Sequence, residues 1–332
     1  MKKKLFGLLL AAFTCGTMVM GASAAETADE IMAKYKEASA AVEEVSATVD
    51  MNADIQLSME GQTFMSLTGN AAMNVAVDMD PLAIMETATM TGNMEMGGEG
   101  SQGGSLNMTM YMQPDENGAF AIYAGVDMGE GIEWMKQAMG EEETAKLMEM
   151  IEQAKSAQMP DLPVAFELAA EGADVNGTDC YVLNATLTWT DLMNVLTTVI
   201  EQNKDQLPEE VVSQIPDAET LNMVGAMFSG LKFNIQLSIA KDTYLPMRAY
   251  IDMEGSDWVT LGAVVGSLVA GDGGEGSAPN IGLDVNSLYM DYVYDYSTPV
   301  EIVVPDDVKA AAQDMGEMGD YGELVEELES EF

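Results

Sequence analysis

Histidine is absent from the 332 residues. That removes Ser-His-Asp and Cys-His catalysis, His-ligated zinc and the usual general base near neutral pH. Basic residues are scarce: 13 Lys and Arg stand against 56 Asp and Glu, a formal net charge of −43. A chain this acidic is repelled by nucleic acid and by anionic membrane surfaces, so no nucleic-acid partner is expected. There are only two cysteines, Cys15 and Cys180. No run outside the amino terminus reaches the roughly 20 apolar residues a membrane-spanning helix needs, so no transmembrane span is expected. Apolar residues are not scarce, at 48%, and charged residues make up only 21%. Wholesale disorder is excluded, and a sizeable core is available.

Lys2, Lys3 and Lys4 precede the apolar stretch Leu5 to Met20, and Ala22-Ser23-Ala24 follows as an A-x-A cleavage site. Residues 1–24 therefore read as a secretory signal peptide, which makes the protein extracytoplasmic, secreted or associated with the cell envelope. Cys15 offers a second reading, a lipid anchor. Against it, Phe13 and Thr14 stand where a lipobox carries small residues. Cleavage removes three lysines and no acid, and it leaves Cys180 as the sole thiol, so no internal disulfide can form.

The mature sequence opens with helical spacing from Ala28 to Val45, with Ile31, Tyr35, Ala38, Val42 and Val45 on one face. The period then changes to two. Ala47, Val49, Met51, Ala53, Ile55, Leu57 and Met59 alternate with polar residues, which predicts a long strand with one dry face. The alternation returns at Met65–Met79, at Ala88, Met90, Gly92, Met94 and Met96, and at Leu106, Met108, Met110 and Met112. Gly-rich residues 97–104 read as a hairpin tip. Residues 46–126 thus predict an antiparallel meander of about five long strands, one face packed and the other wet.

Helical spacing is expected again over Ile132–Ala157, Asp191–Asn203 and Glu219–Gly230. Strands are expected at Val164–Ala170 and Cys180–Trp189, joined through Asn176-Gly177. Further strands are expected at Phe233–Ile239, Leu245–Met253, Leu288–Tyr296 and Val300–Val304. The acidic tail, Asp306 to Phe332, reads as helical. Strands interrupted by helices without βαβ alternation indicate an α+β fold, a curved antiparallel sheet with helices packed on its concave face. The expected organisation is a signal peptide (1–24), a single domain (25–305) and an acidic tail (306–332).

Gly177-Thr178-Asp179-Cys180-Tyr181-Val182-Leu183, Lys241-Asp242-Thr243-Tyr244-Leu245-Pro246 and Thr298-Pro299-Val300-Glu301-Ile302-Val303-Val304-Pro305, together with the order of elements, resemble the LolA-like superfamily of lipoprotein carriers. Within it they look like uncharacterised extracytoplasmic proteins and lipoproteins of Gram-positive bacteria. The resemblance implies an unclosed β-barrel, capped by helices, that holds a lipid or acyl chain in an apolar cavity.

Methionine numbers 30. Thioether side chains repack readily, so they suit a lining for a variable apolar ligand, an ordinary core, or Cu(I). Their spread along the dry faces of many strands favours the first two over copper. The expected ligand-lining residues are Val49, Met51, Ile55 and Leu57, then Met73, Val75 and Val77, then Met90 and Met94, then Met108, Met110 and Met112. The S-x-x-K matches at Ser229 and Ser238 lack companion motifs, and the acid-glycine turns near Asp115 and Asp272 lack calcium-loop spacing. The sequence marks no catalytic residue, calls for no metal or cofactor, and points to non-enzymatic binding or carrying of an apolar ligand. The alternative is a structural or interaction protein of the cell envelope with a filled core.

Overall fold

The computed structural model describes residues 26–59, 61–96, 100–115, 118–127, 129, 131–140, 143–145, 147–148, 165–194, 225, 228–262 and 281–317. The expected signal peptide and residues 318–332 lie outside these, as do residues 151–157, 195–203, 219–224 and 226–227 of the expected helices and the loop around Asp272.

Helix α1 spans Ala28–Ser39. Thr27 and Glu30 close a capping box: the Glu30 N–H donates to Thr27 Oγ1 at 3.3 Å, and the Thr27 N–H donates to Glu30 Oε2 at 2.9 Å. Its apolar face buries Ile31, Met32 and Tyr35. The helix stops well short of Val45, because Val45 also fits the period of two and pairs with Val77 in the sheet.

Strands β1 (Glu44–Met59), β2 (Gln62–Met79), β3 (Leu82–Met96), β4 (Gly100–Pro114) and β5 (Phe120–Asp127) form the expected meander. The glycines at 100–104 are strand residues, not a tip. The next element is β6 (Ile132–Ala138), a strand where helical spacing predicts a helix. The vacancy above Gly125 decides it. A Cβ on Gly125 would come within 2.8 Å of the Trp134 ring, so Trp134 fills the hole over β5 and Tyr111 packs beside it with centroids 6.1 Å apart. Tertiary packing overrides local spacing here.

β7 (Glu167–Leu168), β8 (Ala173–Val175) and β9 (Thr178–Thr188) follow. Asn176-Gly177 joins β8 to β9, with φ of 52° and 85° as a two-residue hairpin requires. Of the expected strand at Val164–Ala170, the described residues 165–170 hold only β7, which pairs separately with β9. β10 (Lys232–Ala240), β11 (Pro246–Asp252) and β12 (Ile281–Asp295) complete the antiparallel set. Residues 300–304 are not a strand. The chain continues into helix α2 (Asp306–Ala311) and β13 (Gln313–Glu317), so the first part of the tail is not one continuous helix.

All thirteen strands belong to one curved, unclosed sheet in the order β13-β6-β5-β4-β3-β2-β1-β12-β11-β10-β9-β7, with β8 on β9. Every pairing is antiparallel except β13 with β6. Two cores form on it. Ile31, Met32 and Tyr35 of α1 pack with Leu183, Leu237, Ile239 and Ile251, with Tyr292 and Tyr294 against them. Val304 and Val308, in and just before α2, pack on Ala121 and Tyr123. Cross-strand partners share a face. Tyr292 pairs with Val49, and the row continues through Met73, Ala88 and Met108 to Val126. Tyr123 and Ala121 have the other parity. The expectation of helices together on one face is therefore corrected: α1 and α2 lie on opposite faces. The chain crosses where Glu44 accepts from the Val300 N–H at 3.0 Å and Gln113 from the Val304 N–H at 3.3 Å.

Candidate functional site

Register brings all twelve expected lining residues to one face. Val49 pairs with Met73, and Met51 with Ala71, which continues to Met90. Ile55 leads through Leu67 to Met94, and Val75 leads through Glu86 to Met110. Val77 leads through Ile84 to Met112, and Leu57 pairs with Met65. This is also the face that α1 occupies farther along. The row Leu183–Leu237–Ala249–Tyr292–Val49–Met73–Ala88–Met108–Val126 is apolar across nine strands.

Cover differs along that row. Over β9 to β12 the helix seals the face, and burial there pushes the Tyr294 hydroxyl up to about 12. Over β1 to β4 the only lining residue fully buried is Val49. Met94 is 41% exposed and Met108 37%, while the other nine are half-buried. Leu67, Met96 and Met135, on the same face, are exposed as well. Among the described residues the meander thus presents an open apolar surface, not an enclosed void.

Two features break its uniformity. Gly69, Gly92 and Gly104 stand in register, with Ala53 beside Gly69. They form the floor of a trench across four strands, between the row of Met90 and the row of Met94. No steric need explains these glycines. A Cβ would meet nothing nearer than Thr91 O at 3.5 Å for Gly69 and Thr68 O at 3.7 Å for Gly92, and nothing within 4 Å for Gly104. The second feature is Glu86, which faces the same way as the methionines. Its cross-strand partners are Val75 and Met110, and its neighbours along the strand are Ile84 and Ala88. It is the single charged residue on this face from β1 to β5, and among the described residues its carboxylate has no hydrogen-bond or ion-pair partner. The alternation that begins at Ala88 reveals it when extended two residues back.

The opposite face is polar over most of its width. Arg248 donates to both oxygens of Asp291 at 2.7 Å, and Asn52 donates to Asn70 at 2.7 Å. A depression of about 280 Å³ lies there, lined by Asp50, Asn70, Thr89, Thr91, Tyr289 and Asp291 among others. A second, of about 380 Å³, lies by the end of α1 at Ala41, Val42 and Tyr296. Neither is lined by the methionines of β3 or β4. At β5 this face is not wet, because α2 covers it.

A latch holds the start of α1. Glu26 accepts from Tyr181 Oη at 2.6 Å and Tyr244 Oη at 2.9 Å and pairs with Lys34. Lys34, then Tyr181, holds the Glu26 carboxyl below its ordinary range, and Glu26 in turn pushes Tyr181 up to about 12. Cys180 is buried, and burial raises its thiol, so the thiolate a reactive cysteine needs is disfavoured. Among the described residues no three of His, Cys, Asp and Glu gather as a metal set, and no helix is long and apolar enough to cross a membrane.

Residues 27–257 match a family of unknown function, DUF6612, and the chain belongs to that family. No curated protein matches it. Among solved structures it is similar to a β-barrel-like protein of a domain of unknown function, DUF1849, from Brucella abortus. The two are 11% identical over 75% of this chain and 96% of that one, with a TM-score of 0.22. A DUF1329 family protein from Desulfovibrio piger is 9% identical over 85% of this chain and 99% of its own, with a TM-score of 0.21.

Proposed function

We propose that this is an extracytoplasmic, non-enzymatic protein that binds or carries a lipid or other apolar molecule on the open face of its meander. The observation that carries the reading is the continuity of that face. Twelve residues of period-two spacing share it, and Met94 and Met108 on it remain more than a third exposed. Exposed apolar surface of this extent is uncommon on a protein that binds nothing. Methionine suits the task because its unbranched chain conforms to ligands of varied shape. The resemblance to LolA-like carriers and the amino-terminal signal sequence support the same reading. Native mass spectrometry of gently purified full-length protein tests it. A co-purifying lipid, lost when Met90 and Met108 are changed together to Ser, is the expected result. A protein that arrives free of lipid and fails to shift an apolar fluorophore would overturn it.

One observation favours a second reading, an interaction protein of the envelope. The face is open among the described residues, as a docking surface would be, whereas a carrier's cavity encloses its cargo. Lipid bound in fixed stoichiometry decides for the first.

A further inference from the structure

We infer that the open face takes a single-chain amphiphile with a cationic head, the head at Glu86 and the tail reaching the glycine trench; this rests on the apolar-ligand reading above. A carboxylate in the midst of an apolar face needs a reason, since it interrupts the apolar surface its neighbours would otherwise continue. Glu86 has apolar side chains on all four sides, Val75 and Met110 across the strands, Ile84 and Ala88 along its own. Those neighbours stand about 5 Å away across the sheet and about 7 Å away along it. No cation of the described chain answers it.

A ligand that brings its own cation would complete the charge while its chain lies on the methionines. The trench gives the direction. Gly92 lies six residues from Glu86 on the same strand, about 20 Å away and on the same face, within reach of one long alkyl chain. An anionic head meets Glu86 directly and a chain of net charge −43 behind it.

The test uses full-length protein and three probes of one chain length, hexadecylamine, hexadecanol and hexadecanoate. Each competes with a bound apolar fluorophore below its aggregation concentration. The amine is expected to displace the fluorophore at about tenfold lower concentration than the alcohol, the effect of one charge-assisted hydrogen bond at a partly desolvated site. The carboxylate is expected to be the weakest. Glu86→Gln erases the advantage of the amine, so that amine and alcohol displace the fluorophore at similar concentrations. Glu86→Met, which completes the apolar face, does the same. Glu95→Gln removes an equal charge from an exposed residue of the same strand on the opposite face, and it preserves the advantage. An amine advantage that survives in both Glu86 variants, or that Glu95→Gln abolishes equally, overturns the inference while alcohol binding keeps the apolar-ligand reading intact. Failure of all three probes overturns both.

Discussion

Filling the glycine trench separates ligand binding from folding. Gly92→Val places a branched side chain at the centre of the row Ala53–Gly69–Gly92–Gly104. The fold has room for it, because the new Cβ meets Thr68 O at 3.7 Å, an ordinary contact, and the backbone there is not in the left-handed region. Glycine inside a strand costs about 0.5–1 kcal/mol against alanine, and valine fits a pleated surface better still. Stability should therefore rise by about 0.5–1 kcal/mol, a gain of roughly 1–4 °C in melting temperature for a domain of this size. Binding should move the other way. A valine in the trench displaces two or three methylenes of a bound chain, at about 0.8 kcal/mol each, or roughly 2 kcal/mol in all. That corresponds to a loss of about thirtyfold in affinity. Thermal melting by circular dichroism and hexadecanol competition on the same preparation check both halves. A variant that melts higher yet binds hexadecanol as tightly as the parent would refute the trench as a binding element. A variant that melts several degrees lower would show that the trench floor is already packed against something.

Other substitutions probe the register and the cores. Met110→Asp sets a second carboxylate directly across from Glu86; like charges on facing strands should lower stability by about 0.5–1 kcal/mol and abolish uptake of hexadecanol, whereas Met110→Leu should do neither, as melting and competition assays would show. Gly125→Val drives a side chain into the Trp134 ring at 2.8 Å; overpacking of this kind costs about 1–3 kcal/mol, read by urea denaturation. Glu26→Gln weakens the latch and should cost about 1–2 kcal/mol near neutral pH. The folded Glu26 carboxyl titrates below 4.5, so its contribution is present above that value and fades as pH falls through the depressed one. Tyr181 is raised, so its share is present below 10 and fades as pH climbs toward about 12. The melting-temperature gap between Glu26→Gln and the parent should therefore close at the acid end and narrow at the alkaline end, where the Lys34 pair outlasts the tyrosine.

What the sequence discloses and what it hides divide along physical lines. The meander was legible because β1 to β4 each carry a long run of alternation, and a period of two leaves little freedom of interpretation. The same alternation puts Val49, Met73, Met94 and Met108 at matching parity, and the register sets them on one face. β6 was not legible. Trp134, Met135, Ala138 and Met139 satisfy helical spacing, and the fact that overrides it, the hole above Gly125, lies on another strand. The opposite placement of α2 left a trace that alternation alone does not capture. Phe120, Ala121, Ile122, Tyr123 and Ala124 are apolar at both parities, the pattern of a strand covered on both faces.

The glycine trench needs more than pattern, because it exists only once the register of three strands is fixed. Gly69, Gly92 and Gly104 are unremarkable singly, and Gly104 falls in a stretch whose composition suggests a loop. Glu86 is the reverse case, visible in one strand alone but easily discarded as the end of an apolar run. Both features break the rules that otherwise shape this face. Glycine weakens a strand and a lone carboxylate weakens an apolar surface, yet neither relieves a clash nor completes an ion pair among the described residues. Departures from local consistency without compensation inside the fold are where function is expected to reside. Here the two departures lie on one strand and one face, about 20 Å apart, the arrangement a headed chain would need.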